Sequence, residues 1–323
     1  AYGKIEGSSE IMQHSGFFLV DKPEGPTSNR VLQDIRKSLS VKFFASQQKF
    51  GHAGTLDSFA SGLLIILTGK ATRLTRWFMN QNKEYDAVFR FGEETDTLDP
   101  QGRIVDIGAI PTRETLENII PSFCGNIKQI PPSYSAVHVD GKRSYEIARA
   151  GKKPEISPRF VTIDTIELQS FKGKEATLRI RCSSGTYIRS LARDIGHACS
   201  SCATVVSLRR TKIGPFSISQ AHHPHECNEK TLRVFSPDIA QSLGLATAVI
   251  QLDLVKHFIH GRALPIKAIT FNDDQMTLLR NLDLSFESKQ VALFSEKGEL
   301  LGIAEHKDKE LVPKVVMEEE SRL

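Results

Sequence analysis

A single carboxylate, Asp57, lies in a stretch punctuated by glycine, Gly51-His-Ala-Gly-Thr-Leu-Asp57, just before an apolar run that starts at Leu63. The glycines at 51, 54 and 62 allow the backbone to take positive φ angles and to approach a ligand closely. A lone acid held in this way is suited to act on a substrate that is brought to it. The same pattern is typical of a polar turn that caps a strand or a helix, so other segments must support Asp57 as a candidate.

Two further segments carry side chains that could complete a site around such an acid. Lys83-Glu-Tyr85 stands at the start of an alternating strand pattern, and Ser184-Gly-Thr-Tyr-Ile-Arg-Ser190 leads into a helix that bears Arg189. Taken alone, Tyr85 is typical of a half-buried strand aromatic. Tyr187 and Arg189 alone are typical of a helix start with a surface salt bridge.

The elements that must position these segments alternate between strand and helix patterns. Alternating or continuous apolar residues predict strands at 17–20, 85–92, 103–107, 161–171, 176–182 and 205–208, with 63–67 as a central strand or a buried helix turn. Helical periodicity is predicted from Thr27 or Ser28 to 39, and at 71–80, 112–120, 145–150 and 187–198. An acidic loop is expected at 93–100. This order indicates an α+β fold on a mixed, mainly antiparallel central sheet with flanking helices.

The character of the chain changes near residue 246. A short helix pattern at 255–260 is followed by short strand patterns within 290–317, which predict a small β-rich C-terminal domain over 246–317. The large domain is expected over 16–232, with a polar junction within 220–245. Residues 1–15 are expected to form a flexible leader, and the acidic residues 318–323 a disordered tail.

Length and composition restrict the class of protein. A chain of 323 residues suits two domains, or one large and one small domain. No apolar run approaches the roughly 18 residues that a membrane helix needs, and residues 1–15 lack the apolar region of a signal peptide. The expected location is therefore the cytoplasm.

The distribution of charge favours an anionic partner. The net charge is only +4, but basic residues crowd three segments, 143–159, 179–193 and 209–212, and are interleaved with Tyr145 and Tyr187. This pattern favours contact with a phosphate backbone, although a solvated charged face produces a similar one.

The five cysteines form an odd set, which argues against a disulfide framework. A zinc site could be drawn from the residues with suitable side chains, Cys199, Cys202, His222, His223, His225 and Cys227. Their spacing is not that of a zinc motif, because the first two follow directly on a helix pattern. Buried or incidental thiols are the favoured interpretation, and no metal ligand is predicted.

Together these segments resemble the TruB family of pseudouridine synthases, which acts on uridine 55 in the T-loop of tRNA. The family's segments occur in order across residues 16–218: Phe17-Phe-Leu-Val-Asp-Lys-Pro-Glu-Gly-Pro-Thr-Ser28, Gly51-His-Ala-Gly-Thr-Leu-Asp57, Lys83-Glu-Tyr85, Thr95-Asp-Thr-Leu-Asp-Pro-Gln-Gly102, Pro131-Pro-Ser-Tyr-Ser-Ala136, Tyr145-Glu-Ile-Ala-Arg149, Gly185-Thr-Tyr-Ile-Arg189 and Leu208-Arg-Arg-Thr211. The segment 258–265 and the strands of 290–317 are similar to a PUA domain, an RNA-binding module. The resemblance implies a pseudouridine synthase fold followed by a PUA-like domain.

The resemblance also implies a role for each matching position. Asp57 would be the catalytic aspartate, which attacks or deprotonates the ribose-side intermediate while the glycosidic bond breaks. Tyr85 would stack on the target base, and Arg189 would pair with Asp57 and hold it ionised. Tyr187 would lie against the base and could take the C5 proton. The expected substrate-binding residues are Gly51, His52, Gly54, Lys22, Pro23, Leu208 and Arg209.

The implied reaction moves no electrons to an acceptor and adds no external group, so no cofactor is predicted. The chain contains neither a dinucleotide-binding glycine motif nor a phosphate-binding P-loop motif. The expected partner is tRNA, bound through its T-arm by a monomer that requires no protein partner. Flipping the base out of its stack costs about a few kcal/mol, and stacking on Tyr85 would return about 1–3 kcal/mol.

Three positions depart from the usual pattern of the family. Ala53 stands where threonine is frequent, Ser58 where proline is usual, and His138 where lysine is common. None of these changes removes a reacting group. The loss of the proline is expected to loosen the catalytic loop slightly.

Two other functions remain open from the sequence. A base-releasing glycosidase would use an acid that attacks the sugar, but its usual design has two carboxylates that flank the bond, and the loop offers one. An RNA-binding or RNA-folding protein without turnover would need no reacting groups, whereas this chain keeps Asp57, Tyr85 and Arg189. Free uracil would identify the first alternative, and RNA binding without product the second.

Overall fold

The computed structural model describes residues 15–40, 48–135, 137–139, 141–152, 154–269 and 290–317 of the chain. Residues 1–14 of the predicted leader and the predicted tail at 318–323 lie outside the described residues. Within the described ranges, no helix is both long enough and apolar enough to cross a membrane.

The strands run through the whole described chain. They are β1 (Gly16–Lys22), β2 (Phe50–Ala53), β3 (Ser61–Thr68), β4 (Lys83–Phe91), β5 (Glu93–Thr95), β6 (Ile104–Ile107), β7 (Gly125–Gln129), β8 (His138–Val139), β9 (Lys142–Arg143), β10 (Arg159–Lys172), β11 (Glu175–Cys182), β12 (Ala203–Ile213), β13 (Phe216–Ser217), β14 (Ala246–Val249), β15 (Leu264–Pro265), β16 (Gln290–Phe294), β17 (Leu300–Lys307) and β18 (Glu310–Val316).

The helices are fewer and mostly short. The α-helices are α1 (Ser28–Ser40), α2 (Thr75–Met79), α3 (Arg113–Ile119), α4 (Ser144–Arg149), α5 (Ile188–Ala198), α6 (Pro237–Ser242) and α7 (Leu252–Ile259). Short 3-10 helices lie at Gly69–Leu74, Ile120–Phe123, Ile218–Gln220, Pro224–Glu226, Glu229–Thr231 and Ile266–Ala268.

Nine strands form the large sheet. The strands β1, β3, β12, β4, β11, β10 and β7 lie side by side in that order, β2 also pairs with β3, and β13 pairs with β12. Among these described strands, only the pair of β3 with β12 is parallel. The predicted α+β class, with a mixed and mainly antiparallel central sheet, is therefore confirmed.

The central strands separate an apolar face from a charged face, because side chains alternate along a strand. On β4, Tyr85, Ala87 and Phe89 are buried in one core with residues of α5. The intervening Asp86 lies on the other face, where Arg179 of β11 donates to its two carboxylate oxygens at 2.8 and 3.2 Å. The sheet thus buries the side that bears Tyr85.

The helix α1 forms as predicted. The Thr27 hydroxyl oxygen accepts a hydrogen bond from the backbone N–H of Arg30 at 3.1 Å, which caps the first turn. The apolar face of the helix is buried against β1 and β3, and its members are Val31, Leu32, Ile35 and Leu39. The run 63–67 is a strand of β3, which decides between the two predicted alternatives.

Several strands differ from the sequence predictions. The strand β12 covers 11 residues rather than the predicted four, because its charged residues, which break the apolar pattern, find partners inside the fold. The strands β2, β7 and β14 were not predicted, and β5 occupies part of the predicted acidic loop, 93–100. Of the five residues of β7, Gly125–Gln129, only Ile127 is strongly apolar, so this edge strand gives no alternating signal.

A second sheet forms the C-terminal region. Its five strands lie in the order β14, β16, β17, β18 and β15, and α7 packs into the same core. The predicted β-rich C-terminal region is therefore confirmed.

The two sheets share one apolar core, so the predicted junction is not a free linker. This core joins residues of the large sheet, the junction and the second sheet, among them Phe17, Phe78, Phe235, Leu243, Phe294 and Met317. The domain limits at 232 and 246 remain predictions.

Candidate active site

The loop between β2 and β3 carries Asp57, and two glycines shape it. Gly54 has φ +83° and Gly62 has φ +108°. A Cβ atom at Gly62 would lie 2.3 Å from the carbonyl oxygen of Arg210, so no other residue fits there. The positive φ that glycine allows is used at these two positions and not at Gly51.

The loop is fastened to the start of α1. The hydroxyl of Ser28 donates to the carbonyl of Leu56 at 2.9 Å and accepts from the N–H of the same residue at 2.8 Å. The ammonium group of Lys22, at the end of β1, donates to the carbonyls of Pro23 and Pro26 at 2.8 Å and of Ser58 at 3.4 Å. Burial lowers the pKa of Lys22 to about 8. Lys22 therefore holds the loop, while Pro23 is exposed beside it.

Arg210 of β12 lies under the loop and is almost fully buried, with 1% of its surface exposed. Its guanidinium donates to the carbonyls of Leu63 at 2.8 Å, Gly54 at 2.9 Å and Thr55 at 3.4 Å. These three partners are neutral carbonyls, so the charge of Arg210 acts on its neighbours Tyr85, which it also hydrogen-bonds, and His52. Arg210 lies in the segment Leu208-Arg-Arg-Thr211, but no role was predicted for it.

Asp57 meets Arg189 at the start of α5. The Nε atom of Arg189 lies 2.9 Å from Oδ2 of Asp57, and Nη2 donates to Oδ1 at 3.1 Å. The arginine side chain is 6% exposed and the aspartate side chain 35% exposed. The expected ion pair is therefore present, and the aspartate keeps a surface that a substrate could contact.

Arg189 also gathers two other loops around Asp57. Its Nη1 donates to the carbonyl of Thr97 at 2.9 Å and to Oδ2 of Asp99 at 3.3 Å, and its Nη2 donates to the carbonyl of Tyr134 at 3.0 Å. Asp99 is buried, and its other oxygen accepts from the hydroxyl of Thr97 at 2.7 Å. Asp99 was missed as a site residue, although it lies in the quoted segment 95–102.

The surroundings of Asp57 oppose its ionisation more than the sequence analysis expected. Burial raises the pKa of the Asp57 carboxyl above its ordinary value, the charge of Arg189 lowers it, and the nearby Asp99 raises it further. From the sequence, only the charge of Arg189 was expected to act on this carboxyl. Arg189 is therefore needed to offset the cost of burying this charge.

Two aromatic residues lie on the elements around this pair. Tyr85 of β4 is 8% exposed and shares a core with Leu56 of the loop and with Leu208. Burial raises the pKa of the Tyr85 phenol, and the charge of Arg210 opposes that rise. Tyr187 precedes α5, and its backbone N–H donates to the side chain of Gln129 at 2.9 Å. Gln129, on the unpredicted strand β7, was also missed.

His52 lies on β2 next to the loop. Burial lowers the pKa of His52, and the charge of Arg210 lowers it further. Its Nδ1 atom is buried and has no hydrogen-bond partner among the described residues. His52 therefore offers an unused polar atom close to Arg210.

Comparisons with known proteins agree on one family. The family model described as "TruB family pseudouridylate synthase (N terminal domain)" matches residues 42–188, and the one described as "tRNA pseudouridylate synthase B C-terminal domain" matches residues 189–234. The protein named tRNA pseudouridine synthase B of Borreliella burgdorferi (strain ZS7) is 46% identical over 210 residues, which are 64% of this chain and 72% of that protein. The chain belongs to the TruB family of pseudouridine synthases.

Other relatives and solved structures extend this result. The tRNA pseudouridine synthase B of Bordetella parapertussis is 45% identical over 210 residues, which are 64% of this chain and 84% of that protein. The crystal structure of a Cbf5-Nop10-Gar1 complex contains a chain that is 25% identical, with a TM-score of 0.65 over 94% of this chain and 84% of that chain. The likeness in fold therefore includes the C-terminal sheet of this TruB family member.

One expected substrate-binding residue lies on the opposite side of the sheet from Tyr85. The guanidinium of Arg209 donates to the two carboxylate oxygens of Asp21 at 3.1 and 2.7 Å, on the charged side of the sheet. Its neighbours Leu208 and Arg210 are buried on the other side. Alternation along β12 therefore brings Arg210, rather than Arg209, to the Asp57 loop.

Hydrogen bonds hold Ser58, the position at which a departure from the family's pattern was expected to loosen the loop. Its carbonyl accepts from the N–H of Gly25 at 2.8 Å, and its hydroxyl donates to the side chain of Gln101 at 3.1 Å. The second bond ties the Asp57 loop to the loop that carries Asp99.

Two of the cysteines considered for zinc contact backbone carbonyls instead. Cys202 is buried, and its thiol contacts the carbonyl of Asp106 at 3.7 Å, while Cys227 contacts the carbonyl of His223 at 3.7 Å. The described part of the chain brings no three His, Cys, Asp or Glu side chains into a metal-binding group.

Proposed function

We propose that this chain isomerises uridine 55 in the T-loop of tRNA to pseudouridine, with Asp57 as the catalytic residue. The observation that supports this most is the ion pair of Asp57 with Arg189, which holds a partly exposed carboxylate among three loops. The family membership supports the reaction type. The names of the bacterial relatives support tRNA as the substrate.

The reaction balances within one nucleotide. The bond from C1′ of the ribose to N1 of the base breaks, the base rotates, and a bond from C1′ to C5 forms. The phenolate oxygen of Tyr187 takes the proton from C5, and the resulting phenol gives a proton to N1 through water, so no atom is added or lost. No cofactor is needed for this exchange.

Asp57 acts on the sugar in this scheme. Attack at the ribose and removal of a ribose proton both require the ionised carboxylate. Because burial favours the neutral acid, the two contacts from Arg189 keep the carboxylate charged and aimed. Asp99 has its own bonds to Thr97 and Arg189, so it orients the arginine rather than the substrate.

The target base must leave its stack before Asp57 can reach the sugar. Extrusion of a base costs about a few kcal/mol, and stacking on an aromatic ring returns about 1–3 kcal/mol per base. We assign the stacking to Tyr85, whose exposed part is small, and a further wall to Tyr187 and Leu208. His52, Gly51, Gly54 and Pro23 would contact nucleotides next to the target.

The second sheet is proposed to bind RNA as a PUA-like domain over 246–317. The shared core with the large sheet would fix this surface relative to the Asp57 loop. Cbf5 is crystallised together with Nop10 and Gar1; for this chain we propose action as a monomer on tRNA alone, in the cytoplasm.

The substitution Asp57→Asn tests the assignment. The variant should bind tRNA within about threefold of the parent and form no pseudouridine, because the amide cannot act as base or nucleophile. Folding should survive, since Arg189 keeps its contact with Asp99. The matched control is Asp34→Asn, which removes an exposed carboxylate on α1.

The products distinguish this proposal from the alternatives. Pseudouridine without free uracil supports the isomerase, and free uracil would indicate a glycosidase. Binding without either product from the parent protein would indicate an RNA-binding protein without turnover. Pseudouridine formation by Asp57→Asn at the parent rate would remove Asp57 from the mechanism.

A further inference from the structure

Two residues that face each other across strands both contact Tyr187. Gln129 of β7 and Arg159 of β10 are directly paired in the antiparallel register. Side chains of such a pair lie on the same side of the sheet. The edge of the large sheet therefore presents both side chains to the residue that precedes α5.

Gln129 fixes the backbone of Tyr187. Its side-chain carbonyl accepts from the N–H of Tyr187 at 2.9 Å, and its side-chain amide donates to the carbonyl of Tyr187 at 3.2 Å. Gln129 is fully buried. With both backbone polar groups bonded to one side chain, the position of the Tyr187 Cα atom is determined.

Arg159 contacts the ring of Tyr187. The Cζ atom of its guanidinium lies 4.6 Å from the ring centroid, which is the geometry of a cation–π contact. The Nε and Nη2 atoms of Arg159 are buried and have no hydrogen-bond partner among the described residues. The buried part of the Arg159 guanidinium therefore contacts the aromatic face of Tyr187.

We propose that Arg159 is a positioning residue for Tyr187, which holds the phenolate oxygen of Tyr187 where it receives the C5 proton of the base. This inference rests on the proposed function, in which Tyr187 takes that proton. Because the guanidinium covers one face of the ring, only the other face and the edge remain for a base. A basic residue at this place therefore acts through Tyr187 rather than on an RNA phosphate.

The two roles predict different kinetics. A phosphate contact contributes to binding, and its loss raises the dissociation constant of the RNA and reduces the dependence of binding on salt. A positioning residue contributes to the chemical step, and its loss lowers the maximum rate. If the loss of Arg159 slows proton removal from C5, this step limits the maximum rate more strongly. The isotope effect of deuterium at C5 on the maximum rate is then larger in the variant than in the parent.

The experiment measures single-turnover rates with saturating enzyme on tRNA that carries uridine or C5-deuterated uridine. Arg159→Gln should lower the maximum rate about tenfold, since a desolvated cation–π contact of this kind is lost. The isotope effect should rise, and the RNA dissociation constant should stay within about threefold of the control Arg113→Gln, which removes an exposed charge on α3. Arg159→Lys keeps a cation and should recover part of the rate.

The outcomes separate this inference from the proposed function. A normal maximum rate in Arg159→Gln, or a loss confined to the dissociation constant, overturns the positioning role. If Arg159→Gln fails to fold, Arg159→Lys carries the test: a reduced rate with a raised isotope effect supports the role, and an unchanged isotope effect overturns it. A parent-like rate in Tyr187→Phe would instead overturn the proton transfer of the proposed function, whatever Arg159 does.

Discussion

Two buried arginines with different surroundings frame Asp57. Arg189 meets two carboxylates, Asp57 and Asp99, whereas Arg210 donates to three backbone carbonyls of the Asp57 loop and of β3. A buried carboxylate with a charged partner is kept ionised, and a buried cation that bonds carbonyls fixes backbone. The first arginine therefore sets the charge of the proposed catalytic residue, and the second sets the path of its loop.

Lys22 adds a pH-dependent element to the same loop. Its pKa falls from 10.5 to about 8 on folding, because burial disfavours the ammonium group. Between these values the unfolded chain binds more protons than the folded one, so the stability that this site contributes rises with pH. Below about pH 8 the folded protein bears the cost of the buried charge.

The substitution Lys22→Met makes this linkage measurable. The parent should gain stability relative to Lys22→Met when the pH rises from 7 to 10, in urea unfolding at both pH values. Lys37→Met, at an exposed position on α1, should show the same difference from the parent at both pH values. A pH-independent difference for Lys22→Met would contradict the buried-charge account.

At the scale of elements, the contact of β3 with β12 places the Asp57 loop over Arg210. Gly62 pairs with Arg210 in the only parallel pair of the described large sheet, and a Cβ atom there would meet backbone. The turn from the loop into β3 therefore depends on this glycine.

Two glycine substitutions distinguish the cost of a positive φ angle from the cost of a steric clash at the Cβ atom. Gly125→Ala, with φ +94° and open space around the position of the Cβ atom, should cost about 1–2 kcal/mol of unfolding free energy. Gly62→Ala should cost more, because the carbonyl of Arg210 must also move. Chemical denaturation measures both. Equal losses in the two variants would show that the close approach is unimportant.

Sequence patterns predicted the elements whose local signal agrees with their burial. The amphipathic helix α1 and the alternating strand β4 are of this kind. The strand β12 was predicted too short, because Arg209, Arg210 and Lys212 mask it. In the fold, Arg209 donates to Asp21, Arg210 donates to loop carbonyls, and Lys212 donates to Glu84. No local rule reveals partners so far apart in the chain.

Some residues of the candidate site were likewise predicted from the sequence, and others were missed. Asp57, Tyr85, Tyr187 and Arg189 were named from the resemblance to the family. The structure pairs Asp57 with Arg189, packs Tyr85 in one core with Leu56 of the Asp57 loop, and places Tyr187 directly before α5. Asp99 and Gln129 were missed, since their importance comes from contacts with residues 90 and 58 positions away. Long-range pairs of this kind follow from the sheet order rather than from spacing along the sequence.

At the scale of the whole molecule, the shared core couples the two sheets. Trp77, the only tryptophan of the chain, is 6% exposed and donates from its indole N–H to the side chain of Gln290 at 2.7 Å. Trp77 belongs to α2, and Gln290 begins β16 of the second sheet. This side chain therefore reports directly on the contact between them.

Urea unfolding followed by Trp77 fluorescence and by circular dichroism should give coincident transitions, because separating the sheets would expose the shared core. The substitution Gln290→Ala should lower the midpoint of both signals together, through loss of the indole contact. A fluorescence transition that precedes the loss of secondary structure would show that the second sheet detaches independently.

The most direct test of the central claim is the mapping of pseudouridine in bulk tRNA after treatment with the parent protein and with Asp57→Asn. The account predicts a new pseudouridine at uridine 55 of the T-loop with the parent and none with the variant, although both proteins bind the RNA. Modification at uridine 55 by the variant, or no modification there by the folded parent, would contradict it.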